Sequence, residues 1–424
     1  MRITKLHLEN FRCYEALDID FEKDLNVIVG ENGHGKTAIF DAISICLEPY
    51  LHVFKHKGLH ISPKDVRRAP IYDEKGHLTG MQSMLPVRID LEIATEDSTC
   101  YTCSKIYDQE GERVLNNTLS NLATVLEGSL DKKLPILAYY GTSRLWRDSK
   151  LLEEKHKSME DRALGYQECL DPSASFNTFG KWLEYISTRK ELIFTHTRTA
   201  VLQAIDSCLK STGLHGIYFN KQLDALVINH PVMGEQLVSD LSDGVRTIIS
   251  IAVDIAYRMV RLNAQLGNRV ILDTPGVIFI DELDMHLHPL WQQYVLGDLQ
   301  ATFPSVQFII TTHSPQVLST VPPEAIRILV WGKKFEGVFS TDFSLGAESN
   351  QLLQDIQHVH TRPAALPIVQ KLEHYLDLVA LDKWDTPEAL ALREELDQWS
   401  KGREPLLVKA DMDIRMRKFR RSRS

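Results

Sequence analysis

The chain has 424 residues, 43% apolar and 25% charged, with a formal net charge of −9. This is the balance of an ordinary globular protein with room for two or three domains, and it excludes broad electrostatic binding of nucleic acid over the whole surface. No stretch reaches about 18 consecutive apolar residues, which argues against a transmembrane helix, and the start MRITKLHLENF lacks a signal-peptide core, so a cytoplasmic location without membrane contact is expected.

Apolar runs of strand length recur at Leu25–Val29, Val87–Ile93, Ile136–Tyr140, Val277–Ile280, Val306–Ile310 and Ile326–Val330. Helix-like segments separate them, at Lys36–Leu47, Gly244–Leu262 and Leu290–Phe303. Strands alternating with helices predict an α/β fold. From Asp148 to Gln203 the chain is rich in charge and helix formers, with Trp182, Tyr185 and Ile186 as apolar points, and reads as a helical insertion. Beyond Leu345 the pattern is helical again, at Asn350–Gln357, Leu366–Leu381 and Pro387–Ser400. Six cysteines over this length do not make a disulfide framework.

The strand-like run Leu25–Val29 leads directly into Gly30-Glu31-Asn32-Gly33-His34-Gly35-Lys36-Thr37, a full match to G-x-x-x-x-G-K-[ST]. Glycines let the backbone turn tightly enough for its N–H groups to converge on phosphate oxygens. The helix that follows adds the positive end of its dipole. In this setting Lys36 reaches the β- and γ-phosphates of ATP, and the Thr37 hydroxyl binds magnesium. Later, four apolar residues, Val277 to Ile280, end in Asp281 and Glu282. A buried strand that opens at its carboxyl end places Asp281 to hold magnesium and Glu282 to polarise an attacking water.

Around these two sites the sequence resembles the ABC-type ATPases of the SMC, RecF and OLD-like group. Leu241-Ser242-Asp243-Gly244 resembles the L-S-G-G signature, with Asp at the third position. Leu283-Asp284 looks like a D-loop, and Met285-His286-Leu287-His288-Pro289 resembles the H-L-H-P run of the prokaryotic members. Thr311-Thr312-His313-Ser314-Pro315 stands where the group keeps its switch histidine, and the opening up to Asn10-Phe11-Arg12 is similar to its first strand. The resemblance implies a mixed sheet around the P-loop, a short helical insertion and a helical C-terminal extension. It implies nucleotide contacts at Arg12, Asn32, Gly33, Gly35, Lys36, Thr37 and Ala38. Ser242 and Gly244 would act on ATP held by a second copy, with His313 beside the γ-phosphate. The catalytic set it implies is Lys36, Glu282 and His313. The boundaries expected are an N-terminal ATPase lobe at 1–147, a mainly helical insertion at 148–235, a C-terminal ATPase lobe at 236–345 and an extension at 346–424.

Homodimerisation through ATP is the minimum assembly the resemblance implies, with larger homo-oligomers as an extension of it. No heptad coiled coil separates the halves, so the chain is not an SMC protein. A narrower resemblance, carried by Phe343 to Asn350, Leu352-Leu353 and Arg362-Pro363, is to the PtuA-like ATPases of Septu and retron-linked antiphage systems, which implies a separate effector of the HNH nuclease type. The block Leu134 to Arg144 is similar to one found in bacterial defence ATPases and implies Arg144 near the nucleotide. Gln82 is the candidate for a Q-loop glutamine. The alternatives are a RecF-like clamp that loads on DNA and a nucleotide-bound scaffold with little turnover.

Other features carry less. Cys100 and Cys103 form a lone C-x-x-C without a second pair, and on a strand they point to opposite faces. His286, His288 and Asp284 are better read as a turn than as metal ligands. Asp411 and Asp413 leave too little chain for a Toprim nuclease. The tail from Ile414 carries Arg415, Arg417, Lys418, Arg420, Arg421 and Arg423, and nucleic-acid contact and a solvated terminus stand as alternatives for it.

Overall fold

The computed structural model describes residues 1–142, 161–171, 192–331 and 336–421. The expectations for Arg144, Trp182, Tyr185, Ile186 and Arg423 fall outside these described residues. The chain divides into two compact units, Met1–Leu352 and Leu353–Ser424.

The first unit opens with strands β1 (Arg2–Phe11) and β2 (Tyr14–Asp20), then β3 (Leu25–Val29), which enters the P-loop. The P-loop helix Lys36–Val53 follows, then a two-stranded ribbon of β4 (Arg68–Tyr72) and β5 (Leu78–Ser83). Strands β6 (Val87–Ala94), β7 (Cys100–Asp108) and β8 (Gly111–Asn117) complete an antiparallel sheet in the order β2-β1-β6-β7-β8. Its strands alternate. On β6, Val87, Ile89, Leu91 and Ile93 are buried and Arg88 and Glu92 are exposed, the period-2 pattern of a sheet with one covered face. Cys100 is exposed and Cys103 buried on β7, as opposite faces require. Gln82 stands exposed on the β4–β5 ribbon, paired in register with Ala69.

The second sheet holds β9 (Ile136–Tyr140), β13 (Gly276–Ile280), β14 (Val306–Thr311), β15 (Ile326–Trp331) and β16 (Glu336–Phe339), with β3 at its centre. The order is β16-β15-β3-β14-β13-β9, parallel throughout except the antiparallel β15–β16 pair. Every residue of β3, β9, β13 and β14 is buried. Apart from the buried polar residues Asn26, Gln307 and Thr311 these are the apolar runs of the sequence, and a parallel strand covered on both faces needs no alternation. Gly276 starts β13 with φ +152, and a Cβ there would stand 2.0 Å from the Ile136 carbonyl oxygen, so only glycine lets β13 lie against β9 at that point.

Two helix expectations are corrected. The P-loop helix runs past Leu47 to Val53 because Tyr50 and Leu51 are buried on it, and the Tyr50 hydroxyl meets that of Tyr166 at 2.8 Å. The expected helix Leu290–Phe303 is two helices, Pro289–Gln292 and Val295–Thr302. Gln293 N–H donates to Leu290 and Tyr294 N–H to Trp291, a tight three-residue step that ends the first helix. The described part of the expected helical insertion also holds strands. Helix Leu192–Cys208 is followed by an antiparallel sheet of β10 (His215–Asn220), β11 (Ala225–His230) and β12 (Gly234–Leu237).

The second unit is three helices, Pro367–Ala380, Pro387–Ser400 and Pro405–Arg421, after a short one at Ser349–Asp355 that straddles the boundary. Proline stands at the first helical turn each time, where its missing N–H costs no helix bond. Leu372, Tyr375, Leu378, Trp384, Leu396, Leu407 and Ala410 form their core. Asp411 takes a bidentate pair from Arg393 at 2.5 and 2.8 Å, and Asp413 pairs with Arg417 at 2.6 Å, so both acids are structural ion-pair partners. The basic tail is helical as far as Arg421.

Candidate nucleotide site

The P-loop is shaped by three local constraints. Gly35 holds φ +78, and a Cβ there would lie 2.4 Å from Cys13 Sγ and 2.7 Å from the Tyr14 hydroxyl. The Tyr14 hydroxyl donates to the His34 carbonyl at 2.9 Å and props the loop from below. Lys36 is buried and its Nζ donates to the carbonyls of Gly30 at 2.8 Å and Glu31 at 3.1 Å, which closes the loop around the ammonium. Burial pulls the Lys36 pKa down, opposed by Asp281, Glu282 and Asp284. Gly33 holds φ +87 with open space where its side chain would stand, and Asn32 and Gly33 are exposed.

The helix ladder begins with Ile39 N–H to the Gly35 carbonyl at 3.3 Å, so the N–H groups of Lys36, Thr37 and Ala38 lie ahead of its first bond. Such a first turn favours an anion through its N–H groups and its dipole. The donor set therefore fits phosphate.

At the end of β13, Asp281 is 3% exposed and fully engaged. Its Oδ2 accepts from the Thr37 hydroxyl at 2.7 Å and its Oδ1 from the Thr311 hydroxyl at 2.6 Å. Thr311 in turn accepts from the Glu282 N–H at 2.7 Å, so one hydroxyl sets both carboxylate residues. Glu282 holds φ +50, a left-handed conformation costing about 1–2 kcal/mol in a non-glycine residue, and it turns the chain sharply off the strand. Thr37 and Asp281 present hard oxygen donors side by side, the kind that magnesium takes together with phosphate and water. Among the described residues no group of three or more His, Cys, Asp or Glu side chains is arranged for a metal ion.

Sequence reasoning sets Arg12 among the nucleotide contacts; the structure places it in an ion-pair cluster. Its Nη1 donates to Asp41 at 2.6 Å and its Nε to Asp65 at 2.8 Å. The cluster ties the end of β1 to the P-loop helix. Burial pushes the Asp41 carboxyl up against the pull of Arg12.

The switch segment and the turn after Glu282 are bonded to each other. Asp284 Oδ1 accepts from the Thr312 hydroxyl at 2.5 Å and from the His313 N–H at 3.3 Å. Burial lowers the His313 pKa, with Lys36 as a second cause and the carboxylates of Asp284, Glu282 and Asp281 opposing. Hence His313, Lys36 and the acids share one electrostatic neighbourhood.

Ser242 and Gly244 do different things. Ser242 is exposed at the N-cap of helix Asp243–Asn263, and its side chain makes no capping bond. Gly244 is buried, and a Cβ there would stand 2.2 Å from the His286 carbonyl oxygen. Gly244 is therefore a packing glycine that seats this signature helix on the turn, while Ser242 faces outward.

Sequence reasoning missed Thr311, Asp41 and Gln292. Thr311 lies inside the quoted switch motif, and its register beside the acidic strand end was the available signal. Asp41 falls four residues beyond Thr37, one helical turn along. Gln292 had no signal short of the fold.

The chain is similar to several known proteins. A family model described as AAA domain matches residues 5–193, and a second AAA domain model, whose description adds AbiEii toxin and Type IV TA system, matches residues 189–319. The chain is 26% identical to the Retron Ec83 probable ATPase of Escherichia coli, over 98% of this chain and 87% of that protein. It is 29% identical to the Retron Vc95 probable ATPase of Vibrio cholerae, over 78% of this chain and 73% of that protein. The Septu protein PtuA of Bacillus mycoides is 25% identical over 79% of this chain and 41% of its own length. In fold, an SMC head crystallised with the C-winged helix domain of ScpA superposes with a TM-score of 0.52 at 17% identity, covering 81% of this chain and 99% of that one. Among the described residues no helix is long and apolar enough to cross a membrane. Motifs, site geometry and these similarities support an ABC-type ATPase, and the relatives it resembles are named for retron and Septu systems.

Proposed function

We propose that the chain is an ATP-driven switch that closes as a homodimer around two ATP molecules and controls a separate effector, a nuclease, in antiphage defence. The observation that carries the ATPase half is the 2.7 Å bond from Thr37 to Asp281, which joins the P-loop to the acidic strand end across 244 positions of sequence. The names of the retron and Septu relatives support the defence setting.

In this reading the first-turn N–H groups and Lys36 bind the triphosphate. Lys36 exchanges its loop carbonyls for phosphate oxygens, so the loop is already shaped before binding. Thr37 and Asp281 would hold magnesium, which would supply positive charge against that building up on the phosphates. Glu282, just beyond Asp281, orients the water and takes its proton. His313, kept neutral by its surroundings, offers a ring N–H to the γ-phosphate side. Ser242 of one copy completes the site of the other. The closed form is held only while the triphosphate is intact, so hydrolysis sets its lifetime.

The test is Glu282→Gln. The variant should bind ATP as tightly as the parent, lose roughly 100-fold or more in turnover, and accumulate as an ATP-dependent dimer in light scattering. Parent-like turnover in that variant would remove Glu282 from the mechanism. A parent chain that stays monomeric with ATP at every concentration would remove the shared site.

A further inference from the structure

Gln292 has no part in the mechanism above, yet its amide joins the two segments that flank the nucleotide. Its Nε2 donates to the carbonyls of Asp284 at 3.2 Å and Leu287 at 3.0 Å, and its Oε1 accepts from the Ser314 hydroxyl at 2.7 Å. Two carbonyls can only accept, so the amide orientation is fixed by its partners. The short helix Pro289–Gln292 ends there, and its tight exit step sets where the side chain starts.

These bonds close a ring. Asp284 Oδ1 holds Thr312, the Thr312 hydroxyl accepts from the Ser314 N–H at 3.0 Å, and the Ser314 hydroxyl returns through Gln292 to the Asp284 carbonyl. His313 sits inside it, with both sequence neighbours and its own N–H tied to the same turn. On its far side the turn carries the His286 carbonyl, against which Gly244 packs without room for a methyl group. Two residues of the turn, Glu282 and His286, hold positive φ of 50° and 63°.

We infer that Gln292 is a positioning residue, one that transmits a load on the Ser242 end of the signature helix to His313. A second copy docking at Ser242 presses that helix on the turn at Gly244. The turn is bonded by Gln292 to Ser314, so His313 moves with it. Catalysis in one copy is thereby conditioned on the partner's arrival. The inference rests on the switch reading given above.

The test is a double-mutant cycle on the full chain with Gln292→Met and His313→Ala. Methionine keeps the length and volume of glutamine and removes all three bonds. We expect His313→Ala to lower kcat about 100-fold and Gln292→Met about tenfold, with ATP affinity unchanged within twofold in both. The double variant should be no slower than His313→Ala alone, because both changes act through one imidazole. Gln292→Glu sets a carboxylate against two carbonyls and should fall at least as far as Gln292→Met, while a thermal melt verifies that both variants fold. Parent-like turnover in folded Gln292→Met, or losses that multiply in the double variant, would overturn the inference alone. If His313→Ala turned over like the parent, the underlying reading would fail as well, so the two failures are distinguishable. An unfolded Gln292→Met also counts against it, since a positioning residue leaves the fold intact.

Discussion

The P-loop end of the site and the Ser242 end of the signature helix are opposites. Around the P-loop the polar groups are engaged within the chain. Lys36 bonds to two loop carbonyls, Thr37 and Thr311 bond to Asp281, and Arg12 is paired with two acids. At Ser242 a helix of 21 residues begins at the surface with an N-cap side chain that makes no capping bond. N-cap serines normally stabilise their helix by about 1 kcal/mol through that bond. On the proposed reading, folding alone assembles one half of the site, while the other half waits for a second copy.

The largest effect that would break this comparison is at Lys36. Replacing it with alanine removes the central cation of the loop, and ATP affinity should fall at least 100-fold by fluorescent-nucleotide titration. Retained binding would mean that the loop is ornamental. Next is Gly244→Ala, which forces a methyl group to 2.2 Å from a carbonyl oxygen. The turn must move, and stability should drop by about 1–3 kcal/mol in a denaturant melt. A neutral result would show that the helix does not press on the turn. Gly35→Ala should act through conformation: φ +78 and the Cys13 contact both oppose it, so ATP binding should weaken before stability does.

The smallest effect is on pH. The His313 pKa lies below its ordinary 6.5 because of burial and Lys36, against the pull of Asp284, Glu282 and Asp281. Its imidazole therefore takes up a proton less readily than a free one, and its titration is shifted to lower pH. Turnover, as kcat/KM, should be level near about pH 8 and decline on the acid side with a midpoint below 6.5. Stability follows the same sign. The unfolded chain binds this proton first, so the contribution is present above 6.5 and is lost as pH falls through the folded value. A rate profile whose acid-side midpoint lies above 6.5 would contradict the assignment.

Much of the core was legible because buried parallel strands leave an unbroken apolar signature. Leu25–Val29 and Ile136–Tyr140 are strands with the bounds that the sequence predicts. The P-loop was legible for a related reason: its glycines answer local steric demands that any sequence must meet in the same way. What stayed hidden depends on contacts between distant segments. Arg12 could not be assigned to Asp41 and Asp65 before β1 met the P-loop helix. The break after Gln292 rests on a tight exit step that helix periodicity does not encode. The strands β10 to β12 were missed because charge-rich composition upstream masked short alternating runs.

On the proposed reading Ser242 serves the P-loop of another copy. Mixing two inactive variants tests it most directly: Lys36→Ala, with an intact Ser242, and Ser242→Arg, with an intact P-loop. Each alone should show turnover near background, while the mixture should regain activity toward about a quarter of the parent rate, the share expected when random pairing makes half the dimers mixed and each mixed dimer has one complete site. A mixture no more active than its components, with mixed dimers verified by mass, would contradict a site shared between copies.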